Sequence, residues 1–220
     1  MATEPNTLTL QQQIEDFQSK QHRPTPMKEV FAKGTQDLIE SGIANQSVKQ
    51  GDKAPDFALP NVNGETVQLP QLLAKGPVVL VFYRGGWCPY CNLALRSYQA
   101  ILPEIQSAGA TLVAVSPQTP DNSLSASEKM ELSFPVLSDS SNKVAREYGL
   151  VFTVSSEVQA IQQGMGLDLS KVNGSDAWEL PIPGSYVIAR DGTIALAFID
   201  PDYTHRLEPA AILTALDQLK

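Results

Sequence analysis

The chain holds two cysteines, Cys88 and Cys91, two residues apart in Cys88-Pro89-Tyr90-Cys91. A thiolate attacks disulfides and peroxides, and a second thiol within the same helical turn can resolve the modified sulfur. A scaffold stapled by disulfides scatters its cysteines to close long loops, so this spacing points to redox chemistry instead. With Cys88 as a helix N-cap, Pro89 occupies the first helical position, where a missing N–H costs nothing, and Cys91 the third. The first-turn amides and aligned peptide dipoles would then stabilise a thiolate at Cys88. Gly85 and Gly86 leave room for backbone bends and for a substrate to approach, while Trp87 walls the site or meets a partner.

Other uses of these residues compete with that reading. Half a zinc site is one, but a closed site needs four ligands and the other obvious candidates, His22 and His205, lack short-range ligand spacing. Two inert buried thiols are another, since free cysteine packs as a small hydrophobe. Arg84 either steadies an anionic sulfur intermediate or anchors the strand end to a carboxylate. Arg206 is a candidate for bringing positive charge to the cysteines, with a local salt bridge before the last helix as its plainer role. Asp56, Trp87, Tyr90 and Tyr203 are further candidates. His205 reads as a surface residue, because a low-pKa cysteine needs no base.

The elements that position the dithiol follow from periodicity. Val78 to Tyr83 is a buried-strand run leading straight into Arg84-Gly85-Gly86-Trp87-Cys88. Leu93, Leu95, Tyr98, Ile101, Leu102 and Ile105 predict a long helix after it, kinked at Pro103. Thr111 to Val115 is the next buried strand. Thr119-Pro120 opens a helix reaching toward Leu132, Phe134 to Leu137 is a short strand, and Ser141 to Tyr148 a short helix. Upstream, short extended pieces at Asp56 to Pro60 and Thr66 to Leu69 flank an Asn63-Gly64 turn. Tyr186 to Ala189 and Thr193 to Ile199 flank Asp191-Gly192 as a hairpin, and Pro209 opens a final helix. The weakly periodic segment 151–180 reads as an insertion with at most short helices.

Ahead of this, residues 1–50 predict a helical hairpin, with Thr25 as N-cap, Pro26 in the first helical position and Gly42 as the stop. The hairpin covers apolar surface on its own core or on a partner subunit, a homodimer being possible; a solvated extension is the alternative. The expected fold class is α/β: a thioredoxin-like fold with a central mixed β-sheet flanked by helices, over residues 51–220.

At 220 residues, 42% apolar and 18% charged, the composition is that of a globular protein. A net charge of −8 disfavours nucleic acid and anionic membrane as partners. The longest strongly apolar run, Pro77 to Tyr83, is far short of the roughly 20 residues that span a bilayer. Met1 to Leu10 has neither a basic start nor an apolar signal core, from which a cytoplasmic location is expected.

The strand-to-CxxC segment, Gly51-Asp52-Lys53-Ala54-Pro55-Asp56-Phe57 before it, and Ile182-Pro183-Gly184-Ser185-Tyr186-Val187-Ile188 with Asp191-Gly192 after it together resemble the peroxiredoxin-like branch of the alkyl hydroperoxide reductase and thiol-specific antioxidant (AhpC/TSA) family. The resemblance covers roughly Val48 to Lys220. It implies thiol-based reduction of hydroperoxides, with electrons from thioredoxin, glutaredoxin or a small thiol and no metal or organic cofactor. It also implies a cis proline facing the dithiol at Pro183. Peroxiredoxins carry Pro, three residues, Thr or Ser, two residues, then the peroxide-attacking cysteine. Here those positions hold Arg84, Cys88 and Cys91, so the family register makes Cys91 the attacking thiol, whereas the thioredoxin register makes it Cys88. The helix-start argument prefers Cys88. The family's later active-site arginine is replaced by Pro183, so Arg84 or Arg206 would have to stand in for it. The expected function is a thiol-dependent peroxidase acting on hydrogen peroxide or organic hydroperoxides. A thiol-disulfide oxidoreductase and a non-enzymatic redox sensor are the alternatives.

Overall fold

A computed structural model describes residues 8–220. The first seven residues, the start of the expected N-terminal extension, lie outside the described residues. Two helices come first, α1 (Leu10–Ser19) and α2 (Thr25–Glu40). The strands β1 (Ala58–Pro60) and β2 (Thr66–Gln68) form a small antiparallel ribbon leading into α3 (Leu69–Leu73). Then follow β3 (Val78–Phe82), α4 (Pro89–Ala100), α5 (Leu102–Ser107), β4 (Thr111–Ser116), α6 (Pro120–Met130), β5 (Val136–Ser138) and α7 (Lys143–Glu147). A second small ribbon, β6 (Val151–Thr153) and β7 (Glu179–Pro181), brackets α8 (Ser156–Gly164) and α9 (Leu169–Asn173). The chain closes with β8 (Gly184–Ile188), β9 (Ile194–Ile199) and α10 (Pro209–Asp217).

The central sheet has the order β5-β4-β3-β8-β9. β3 pairs parallel with β4 and antiparallel with β8, so the sheet is mixed, as expected. Strand alternation sorts the side chains into two layers. Val79, Val81 and Tyr83 join Leu112, Ala114 and Val187 under α1, α4, α5 and α10. Val78, Leu80 and Phe82 join Val113, Val115, Tyr186 and Ile188 with Tyr148 on the other face. Among the described residues no helix is long and apolar enough to cross a membrane.

Several local expectations are corrected. The first two helices do not pair as a hairpin: α1 packs on α4, burying Leu10 and Ile14, and α2 packs on α8. Each finds apolar surface on the main fold rather than on its neighbour. The N-cap of α2 is Pro24, not Thr25, because Pro24 already holds an extended conformation; Gly42 does take the left-handed conformation that ends the segment. Pro103 divides the long helix in two instead of kinking it, since Ile101 leaves helical geometry and Pro103 falls in the first turn of α5. The segment 151–180 carries the short helices expected of it, together with β6 and β7, whose three-residue lengths give no periodic signal.

Candidate active site

Central strand β3 delivers the chain to the C-terminal end of its two flanking pairings, and Arg84-Gly85-Gly86-Trp87 turns it into α4. Gly85 sits at φ 143°, which only glycine adopts readily, and a Cβ there would lie 2.4 Å from the Trp87 indole nitrogen. A Cβ on Gly86 would come 2.3 Å from that of Ala126 on α6. Gly86 N–H donates to Gln118 Oε1 at 2.6 Å, Asn92 Nδ2 donates to Gly86 O at 2.9 Å, and Cys88 N–H donates to Gly85 O at 3.1 Å. The two glycines therefore allow the bend, but Trp87 and α6 fill the room expected for substrate.

Cys88 is the N-cap of α4, with Pro89 and Cys91 in the first and third helical positions, and both cysteines are free and buried. The first-turn amides, however, do not reach Cys88 Sγ. Its donor is Arg84 Nη2 at 3.1 Å, and Arg206 Nη2 reaches Cys91 Sγ at 3.5 Å. Burial by itself raises a thiol pKa, and at Cys88 it is outweighed by the hydrogen bond from Cys91 and the charges of Arg84 and Arg206, which hold Cys88 well below the ordinary thiol range. Cys91 moves the other way: burial and its position beside the Cys88 thiolate push it well above that range. These opposite shifts favour the proton on Cys91 over the proton on Cys88.

Around the sulfurs, Arg84 stacks over the Tyr203 ring at 3.9 Å and reaches Trp87 at 5.5 Å. Tyr90 packs edge-on against Tyr203 at 5.4 Å and Phe17 of α1 at 5.5 Å. Arg206, expected in a local salt bridge, makes no ion pair among the described residues; His205, exposed, takes Asp200 at 2.8 Å instead. Asp56 is exposed in a groove with Ser138 and Lys143 and is not brought to the dithiol. Pro183 is buried beside Cys91 and Arg206, but its peptide bond is trans, against expectation. The chain runs extended from β7 into β8 there, with Ile182 N–H donating to Leu150 O at 2.8 Å.

Two residues escaped sequence reasoning. Buried Tyr98, two turns after Cys91 on the same helix, donates its hydroxyl to Leu207 O at 2.8 Å and so pins the segment bearing Arg206. Burial pushes its phenol up to about 12. Glu208 accepts from Leu10 N–H at 3.0 Å and Gln11 N–H at 2.8 Å, capping α1. The seven-residue spacing of Cys91 and Tyr98 was a usable signal; nothing local marked Glu208.

A mixed sheet with a dithiol at the start of the helix after its central strand defines a thioredoxin-like protein. Residues 50–197 match the AhpC/TSA family, and the chain belongs to it. In sequence it is 32% identical over 110 residues to the chloroplastic peroxiredoxin Q of Triticum aestivum, covering 50% of each chain. It is 31% identical over 105 residues to the putative peroxiredoxin bcp of Coxiella burnetii, covering 48% of this chain and 69% of that one. The chain spans about half the length of the plant peroxiredoxins Q it matches. In fold it resembles the peroxidoxin BcpB of Mycobacterium tuberculosis, with a TM-score of 0.62 at 22% identity, over 79% of this chain and 99% of that one.

Proposed function

We propose that the protein is a thiol peroxidase in which Cys88 attacks and Cys91 resolves. The observation that carries this reading is the guanidinium of Arg84 on Cys88 Sγ at the buried start of α4. The Cys88 thiolate attacks the terminal oxygen of a hydroperoxide, the O–O bond breaks, and the departing alkoxide or hydroxide takes a proton to leave as alcohol or water. Sulfur is oxidised to sulfenic acid and the peroxide is reduced by two electrons. Cys91 then forms the disulfide as its thiol proton and the sulfenic hydroxyl leave as water. Two electrons from thioredoxin, glutaredoxin or a small thiol restore the dithiol. Arg84 steadies the thiolate and the charge developing on oxygen, and Arg206 does the same from the Cys91 side. Two free thiols suit a reducing compartment such as the cytoplasm.

Placement of the two cysteines within one turn also suits thiol-disulfide exchange. Burial of both sulfurs favours a small oxidant as the first to reach Cys88. The test is the rate at which hydrogen peroxide oxidises reduced protein, with mass spectrometry following sulfenic acid and disulfide. Cys88→Ser is expected to abolish fast oxidation, and Cys91→Ser to leave it fast and stop at sulfenic acid. Fast oxidation that survives in Cys88→Ser would transfer the attack to Cys91. Rates no greater than those of a free thiol, with rapid disulfide exchange, would select the oxidoreductase.

A further inference from the structure

In a chain of net charge −8, three of the six arginines gather around the dithiol and the cleft beside it, and none of the three has a carboxylate partner among the described residues. Arg84 and Arg206 lie on the sulfurs. The third, Arg23, comes from the turn before α2, outside the span matched by the family. It rests over the Phe31 ring at 5.2 Å and lines, with Arg84, a cleft of about 370 Å³ walled by Phe31, Trp87, Tyr90 and Leu167. A second lobe of about 220 Å³ shares Phe31, Arg84 and Tyr203 and runs on between α2 and α8, past Val158 and Ile182. Its carboxylate, Asp37, is paired with Lys33 on the exposed side of α2. Arg84 therefore meets Cys88 on one side and an apolar cleft on the other, and the cleft carries a second guanidinium, Arg23, without an acid among the described residues.

We propose that this cleft binds a hydroperoxide carrying a carboxylate, with the carboxylate on Arg23, the hydrocarbon against Phe31, Trp87 and Leu167, and the hydroperoxide group at Arg84. A neutral ligand would leave Arg23 without an acid, and a fully apolar pocket would not need it. An anion is also drawn to this cleft against the overall charge of the protein, because an arginine without an acid among the described residues, set in a recess with low-dielectric walls, focuses the local field. The inference rests on the peroxidase reading and specifies its substrate.

Cumene hydroperoxide and its para-carboxylate share a skeleton and differ in charge, so the ratio of their kcat/KM values reads the subsite. Electrons are supplied by dithiothreitol, which is neutral. The expected ratio in wild type is about five in favour of the carboxylate at low salt, the effect of one partly exposed ion pair, and it falls with added salt. Arg23→Gln is expected to bring the ratio to about one, and Arg23→Lys, which keeps the charge, to retain most of it. A ratio of one in wild type, or one that survives Arg23→Gln, overturns the subsite while leaving the peroxidase reading intact. A ratio untouched by Arg23→Gln together with a raised KM for glutathione assigns the cleft to an anionic thiol and also overturns the proposal. Turnover of neither hydroperoxide overturns the peroxidase reading and the subsite with it.

Discussion

The two faces of the central sheet are built from alternate residues of the same strands, yet they bury different chemistry. Beneath Val79, Val81 and Tyr83 lie both cysteines and the loop that carries Arg206. Beneath Val78, Leu80 and Phe82 lie Tyr148 and Tyr186, their rings tilted or edge-on to Phe82 at 4.9 and 6.2 Å and edge-on to each other at 5.2 Å. Burial raises the phenols of Tyr148 and Tyr186, so they stay neutral, and Tyr148 donates to Pro55 O at 3.0 Å. On the cysteine face the same low dielectric acts on a charge that has guanidinium partners, and the charge persists. Burial alone does not set the protonation of these groups; the partner brought to each one does.

That contrast can be broken from either side. Leu80→Ala, on the tyrosine face, is expected to cost about 2–5 kcal/mol of stability by leaving a cavity under the sheet, measured by urea denaturation. The titration of Cys88, followed by thiolate absorbance, should stay where it was; a shift would show that the two faces are coupled through β3. Arg84→Met, on the cysteine face, removes one charge-assisted hydrogen bond of about 1.5–3 kcal/mol, so the thiolate should titrate higher and peroxide oxidation at neutral pH should slow by about tenfold or more. An unchanged thiolate would leave the hydrogen bond from Cys91 and the charge of Arg206 as its supports.

A smaller effect is the pH dependence of the reduced protein's stability. Cys88 is depressed in the folded state, so its contribution is fully present above the unfolded thiol value of about 8.5 and is lost as pH falls through the folded value. Cys91 is raised, so its contribution is present below about 8.5 and is lost as pH rises toward its folded value. The stability of the reduced form relative to Cys88→Ser should therefore grow from neutral pH toward about 8.5. A flat difference would mean that Cys88 titrates normally.

Much of the cysteine site was legible along the chain, because it is local. A buried strand, a glycine bend and Cys-Pro-Tyr-Cys are contiguous, and proline in the first helical position marks the starts of α4, α6 and α10. What was not legible depends on contacts between distant residues. Arg206 reaches Cys91 across 115 positions beside the Leu207 carbonyl that Tyr98 holds, and no local pattern reports that contact. Donation to Cys88 by a guanidinium rather than by helix amides is a matter of side-chain direction, which spacing does not encode. The packing of α1 and α2 on separate parts of the fold depends likewise on surfaces that the chain assembles only later.

The cap that Glu208 places on α1 bears on the sulfurs as well. Glu208 is two residues from Arg206, an arginine without an acid partner among the described residues, and its carboxylate is occupied by the first two amides of α1. Thr9 and Gln12 satisfy the rest of that helix start between themselves. α1 thus acts as a decoy for a nearby anion: while the helix is in place, Glu208 has two N–H donors and Arg206 is left to the sulfur. Removing α1 takes both donors from that carboxylate and leaves an acid two residues from the arginine on Cys91.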